Sequence, residues 1–98
     1  MPRPYFDDLP RLFANQDQAA LTAFGKYIHW GYWADPKQAD GSLPDFANAA
    51  ENLTLRLLAH ANIQSGQRIL DAGCGFGGTI DLLNQTHESL SLTGININ

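Results

Sequence analysis

Ile69-Leu70-Asp71-Ala72-Gly73-Cys74-Gly75-Phe76-Gly77-Gly78 decides how the rest of the chain is read. A short apolar run, entered at Gln67 and carried by Ile69 and Leu70, breaks into glycines, which predicts a buried strand followed by a loop. Glycines there permit backbone dihedrals that a Cβ forbids, and they let the main chain approach a ligand with no side chain between. Downstream, Thr79 to Gln85 resumes a helical pattern with Ile80 and Leu83 three apart, and Leu90 to Ile97 alternates as a second strand. Strand, glycine loop, helix, strand is a βαβ unit, so the two strands should be parallel and the crossover right-handed. A ligand would lie across the carboxyl ends of those strands.

Upstream of Gly66 the pattern is helical and loop-like. Asp17 to Tyr27 predicts a helix with Ala20, Phe24 and Tyr27 as its stripe, despite the cost of Gly25. His29-Trp30-Gly31-Tyr32-Trp33 sets three aromatics around a glycine, and Ala34-Asp35-Pro36 stops regular structure, leaving Asp35 to Gly41 as a polar connector. Ser42-Leu43-Pro44-Asp45 has the form of a helix start, with a hydroxyl cap, a proline in the first turn and an acid in the place of a capping-box partner. Phe46, Ala50, Leu53, Leu57 and Ala61 then fall on one face of a long helix, which should pack on the sheet that follows.

Composition narrows the function. The chain has 98 residues, at most one domain, and so small a chain buries a modest core. Six Lys plus Arg against ten Asp plus Glu give a net charge of −4, and no two basic residues are adjacent, so a nucleic acid is not the expected partner. Cys74 is the only cysteine, which excludes an internal disulfide and fits a reducing cytoplasm. The early prolines and the Asp7-Asp8 pair interrupt any signal-peptide pattern, and no apolar run reaches the ~18 residues of a membrane span. No His, Cys, Asp or Glu spacing suggests a metal site.

Two cofactor classes compete for the loop. Gly73, Gly75 and Gly78 satisfy the dinucleotide pattern G-x-G-x-x-G, and Asn96 stands 23 residues after Gly73, near where a ribose-binding acid is expected. NAD, and with it an oxidoreductase, is therefore allowed. Asp71 discriminates, because an anion two residues ahead of the first glycine would sit beside a diphosphate. It suits a ligand with a cationic end, and S-adenosylmethionine carries an ammonium and a sulfonium with no phosphate.

At these residues the sequence resembles a known family. ILDAGCGFGG resembles the first signature of class I S-adenosylmethionine-dependent methyltransferases, an apolar strand followed by D-x-G-x-G-x-G. Gln64-Ser65-Gly66-Gln67 is similar to that family's entry into the strand, and Leu92 to Asn98 resembles its second motif. His29-Trp30-Gly31-Tyr32-Trp33 is similar to an H-x-G-Y-aromatic segment that precedes the core of many small-molecule members.

The resemblance implies an α/β, Rossmann-like doubly wound sheet, of which residues 1–63 would be an N-terminal helical cap and 64–98 the start of the cofactor domain. It implies that Gly73, Gly75 and Gly77 line the methionyl part of the cofactor. Asp71 would orient the loop or meet the ammonium, and Tyr32 would fold over the methionyl end. Asn96 falls where the family has an acid for the ribose hydroxyls; an amide there accepts without charge assistance, a bond about half as strong, so Asn98 or a later group could serve instead. The partner would be a small-molecule methyl acceptor. A sensor that only binds S-adenosylmethionine is a further alternative.

His29 is either a general base or a packed, hydrogen-bonded ring, and Cys74 is a small residue between glycines with nothing nearby in sequence to activate it. A complete sheet of this kind needs on the order of 200 residues, at roughly 30 per βαβ step. The expectation is thus an N-terminal fragment, inactive alone, of a larger methyltransferase.

Overall fold

The computed structural model describes residues 4–97, and side chains from Asp7 onward. Its elements are α1 (Pro4–Ala14), α2 (Gln18–Phe24), a short 3₁₀ turn (Pro36–Gln38), α3 (Leu43–Ala61), β1 (Arg68–Ala72), α4 (Gly78–Thr86) and β2 (Ser91–Ile95). The strands pair in parallel, with Ile69 opposite Leu92 and Asp71 opposite Gly94. The α/β unit expected from the glycine loop is therefore present, with each strand a residue or more shorter than its pattern. Asn98 lies outside the described residues.

Periodicity does not mark α1, and its end shows why. The Gln16 N–H donates to the Phe13 carbonyl and the Asp17 N–H to Leu12, while Gln16 has a φ of 56°. That is a Schellman closure with glutamine where glycine usually stands. Asp17 then caps α2 at once, its carboxylate accepting from the Ala20 N–H at 2.9 Å. Helix α2 ends at Phe24, so Tyr27 is buried from the segment beyond the helix rather than from its stripe.

Ser42 caps α3 as read, its hydroxyl accepting from the Asp45 N–H. Asp45 does not complete a capping box. Its carboxylate accepts from the Trp33 indole at 2.9 Å and from the Asp40 N–H, and Asp40 takes the Ser42 N–H instead. The cap is thereby spent on holding the aromatic segment against the start of α3.

Helix α3 packs on α2 and not on the sheet, contrary to the expectation from its stripe. The contact joins buried small residues, Ala20 and Ala23 of α2 and Ala49 and Ala50 of α3, with an edge-on ring pair, Phe24 of α2 and Phe46 of α3, at 5.1 Å. The aromatic segment also crosses α3 closely. A Cβ on Gly31 would lie 2.6 Å from the Ala49 Cβ, and the Tyr32 N–H donates to the Ala49 carbonyl. Leu53 and Leu57, expected against the sheet, are 36 % and 66 % exposed.

The strands are also less buried than expected, because α4 covers only the face that carries Ile69, Leu92 and Gly94. Leu70 on the other face is 61 % exposed. At Gly94 the helix and loop come closest: an added Cβ would lie 2.6 Å from Ile80 Cδ1 and 2.8 Å from Cys74 Sγ. Gly94→Val should therefore destabilise the full-length protein by about 1–3 kcal/mol through overpacking. Ser42→Ala should cost about 1 kcal/mol through the lost cap. Urea denaturation checks both, and an unchanged midpoint for Gly94→Val would contradict the packing at that contact.

Candidate functional site

The loop expected to face a ligand is turned by three glycines in the left-handed region, Gly73, Gly75 and Gly77, with φ values of 76°, 56° and 85°. Its backbone is tied to the second strand. The N–H groups of Gly73 and Cys74 both donate to the Ile95 carbonyl, at 2.7 and 3.0 Å, and the Gly75 N–H donates to the Asn96 carboxamide oxygen at 3.4 Å. Beside the loop opens a cleft of about 630 Å³ that Asp71, Gly73, Gly75 and Asn96 all line. A slightly larger groove of about 680 Å³ between α2 and α3 contains neither a strand end nor a glycine loop.

Four of the six residues singled out in the sequence thus meet in one place. Gly77 is not among the cleft's lining residues; it caps α4 with its positive φ and offers no side-chain bond. Tyr32 is also elsewhere. Its N–H is held by Ala49, its ring lies under the Arg56 guanidinium at 4.6 Å, and it borders a separate groove on the outer side of α3.

In place of Tyr32, the wall facing the loop is the run Lys26, Tyr27, Ile28 and His29. The approach is close. A Cβ on Gly75 would lie 2.8 Å from Ile28 Cδ1, and one on Gly78 would collide with the Lys26 carbonyl and the Tyr27 ring. From α3 come Leu53, Thr54 and Leu57, and from α1 come Asp7, Leu9 and Pro10, with the edge of Phe76 meeting Phe13 of α1 at 5.4 Å. The amphipathic stripe of α3 had already marked Leu53 and Leu57 as apolar positions, though not as the lining of a cleft. Nothing in the sequence pattern marks Thr54.

The charges are arranged unequally. Lys26 donates to Glu51 at 2.8 Å, and the Tyr27 hydroxyl donates to the same carboxylate oxygen at 3.3 Å. This hydrogen bond lifts the Lys26 ammonium above the usual lysine value and holds Glu51 below the usual carboxylate range, while burial pushes the Tyr27 phenol up. The carboxylates of Asp7 and Asp71 have no hydrogen-bond or ion-pair partner among the described residues. The cationic side chain at the cleft is thus compensated, and among the described residues these two carboxylates are not.

Within the cleft, His29 meets the buried Thr54. His29 Nδ1 lies 2.8 Å from the Trp30 carbonyl oxygen, and Nε2 lies 2.9 Å from Thr54 Oγ1. Cys74 packs its sulfur under Gly94. Among the described residues no cluster of His, Cys, Asp or Glu could hold a metal ion, and no helix is long and apolar enough to cross a membrane.

Comparison with known proteins gives the chain relatives. It is 33 % identical over 95 residues to an O-methyltransferase of Pyrenophora dematioidea, an alignment covering 97 % of this chain and 34 % of that protein. It is 28 % identical over 95 residues to the O-methyltransferase resE of Aspergillus sclerotiorum, with the same two coverages of 97 % and 34 %. To the methyltransferase GfsG of Streptomyces halstedii it is 37 % identical over 54 residues, 55 % of this chain and 18 % of that protein. No family model matches the chain. The chain spans about a third of the length of the first two relatives. The resemblance to methyltransferases carried by the glycine loop is borne out by these proteins.

The Lys26–Glu51 pair sets a pH dependence. Glu51, depressed in the fold, contributes stability that is complete above the ordinary glutamate value and lost as pH falls through its lowered one; Lys26, raised, contributes below the ordinary lysine value and loses it as pH climbs through the raised one. The pair therefore acts across the neutral range. Both side chains are partly exposed, so a double-mutant cycle with Glu51→Gln and Lys26→Met should give at most about 1 kcal/mol at pH 7, vanishing at acid pH. Urea midpoints measured against pH check this, and coupling that persists after Glu51 is protonated would refute it.

Proposed function

We propose that this chain, a relative of methyltransferases over nearly all its residues, is the cofactor-binding part of an S-adenosylmethionine-dependent methyltransferase acting on a small molecule. The α/β unit is then the opening of a Rossmann-like sheet, with residues 64–98 starting the cofactor domain and residues 1–63 forming its cap. One observation carries the choice of cofactor: Asp71, its carboxylate without a partner among the described residues, stands at the end of β1 beside backbone that glycine leaves uncovered. An added Cβ on Gly73 would meet nothing within 4 Å, so there is room for a ligand against the main chain.

When bound, S-adenosylmethionine supplies a methyl group activated on a sulfonium. Asp71 meets its ammonium, directly or through water, and the backbone of Gly73 and Gly75 borders its methionyl chain. Asn96 accepts from the Gly75 N–H with its oxygen, which leaves its NH₂ and the second lone pair of that oxygen for the ribose hydroxyls. Gly77 serves by capping α4, and Tyr32 stands outside the cleft. Ile28, Leu53 and Leu57 form an apolar wall that excludes water, which strengthens each charged contact within. Alignment of acceptor, methyl and sulfur supplies most of the acceleration of such a displacement.

Equilibrium binding of labelled S-adenosylmethionine against NADH on the full-length protein tests the reading. S-adenosylmethionine should bind tighter, and Asp71→Asn should weaken it about tenfold, the scale of a lost charge-assisted bond. NADH binding more tightly than S-adenosylmethionine would overturn the assignment in favour of an oxidoreductase.

A further inference from the structure

The cofactor contacts leave His29 and Thr54 unused, although both line the cleft, are hydrogen-bonded to each other, and Thr54 is buried. We propose that Thr54 and His29 form a proton relay that takes the proton of a hydroxyl acceptor during methyl transfer. The relay rests on the methyltransferase reading above.

The hydrogen bonds assign the ring's protons. A carbonyl oxygen only accepts, so the 2.8 Å contact with Trp30 places a proton on Nδ1. The neutral ring then has one free lone pair, at Nε2, and the Thr54 hydroxyl 2.9 Å away must donate to it. A hydroxyl can also reverse its role. Once Nε2 gains a proton, Thr54 Oγ1 accepts from it while the Trp30 contact stays as it was. The site therefore satisfies imidazole and imidazolium alike, with no heavy atom displaced.

Thr54 is an expensive choice for a merely structural position. It is 3 % exposed, the one buried polar residue among those described, in a helix whose other buried residues are Ala49 and Ala50. Threonine is a poorer helix former than alanine, and a buried hydroxyl costs free energy unless it is bonded. Its bond goes to His29. The titratable groups around the ring are Tyr27 on its own segment, whose ring is 5.3 Å away, Asp7 from α1, Asp71 and Cys74 from the strand end and loop, and Lys26 paired to Glu51 of α3. Trp30 and Thr54 occupy both ring nitrogens, so these neighbours act on the imidazole only through space.

In the step, the acceptor's O–H bond breaks and its proton goes to Thr54 Oγ1, as the Thr54 proton passes to His29 Nε2. The acceptor oxygen uses the freed pair to bond the methyl carbon, and the carbon–sulfur bond breaks with its pair left on sulfur. One positive charge disappears from sulfur and one appears on His29. The carboxylates of Asp7 and Asp71 thus face the same net charge before and after transfer, and no uncompensated charge develops in the cleft.

The test uses the full-length protein and two phenols as probes, one with a pKa of about 10 and one already ionised at the assay pH. Long-range proton–nitrogen spectra of the imidazole should show the Nδ1–H tautomer in the wild type. His29→Gln and Thr54→Val should lower turnover of the weakly acidic phenol about 100-fold and that of the ionised phenol less than threefold, since general base catalysis typically contributes at least that much. Thr54→Ser should keep most of the activity, and labelled S-adenosylmethionine should bind each variant within twofold of wild type. Equal losses on the two phenols, an Nε2–H tautomer, or transfer by the wild type to amines alone would each overturn the relay. Failure of the wild type to bind S-adenosylmethionine would instead refute the methyltransferase reading, and the relay with it.

Discussion

A single carbonyl oxygen, that of Ile95, receives the N–H groups of both Gly73 and Cys74. Two donors on one acceptor at the end of β2 force the chain leaving β1 to turn sharply across the neighbouring strand. Only a residue free of Cβ strain accepts the dihedral this requires, which is why Gly73 has a positive φ. The loop's position relative to the sheet then follows, and so does the start of α4, because Gly77 caps that helix and its carbonyl receives the Asp81 N–H. The strand ends, the loop and the helix form one hydrogen-bonded unit, and the cleft is what remains between it and the N-terminal segment.

That segment is held by a different kind of constraint. Where the loop is fixed by hydrogen bonds, the α2–α3 layer is fixed by close packing: buried alanines of both helices accompany the Phe24–Phe46 ring pair, and Gly31 lets the backbone of the aromatic run pass over Ala49. Dispersion falls off steeply with distance, so packing through such small residues is sensitive to fractions of an ångström. Fine positioning of Lys26 to His29 against Gly75 and Gly78 is the result.

Most of the fold was legible because local chemistry and tertiary structure agree at the relevant places. The glycine loop, the parallel pair and the Ser42 cap each carry their own signal at fixed spacing. The misses have physical causes. Helix α1 closes on Gln16, a residue that seldom takes φ of 56°, so no glycine announced its end. The stripe of α3 correctly marked an apolar face, yet periodicity says only that a face is apolar and not what covers it; here Leu53 and Leu57 turn to the cleft. Tyr32 was chosen by its place in a motif, whereas the amide bond to Ala49 and the stacking of Arg56 decide where its ring goes. Thr54 had no signal at all, since its partner His29 is 25 residues away.

The joint between α1 and α2 is three residues long, 15–17, and its last residue, Asp17, serves both helices. Its amide closes one helix on Leu12 and its carboxylate opens the next at Ala20. With no slack between them, the two helices are geared: adding or removing one residue before Asp17 would turn α1 by about 100° about its axis, at 3.6 residues per turn. Leu9 and Pro10 would swing off the cleft and a polar side of α1 would replace them. Length variation in this part of the chain should therefore be tolerated beyond α1 on its N-terminal side, or in the polar connector before Ser42, and not at this joint.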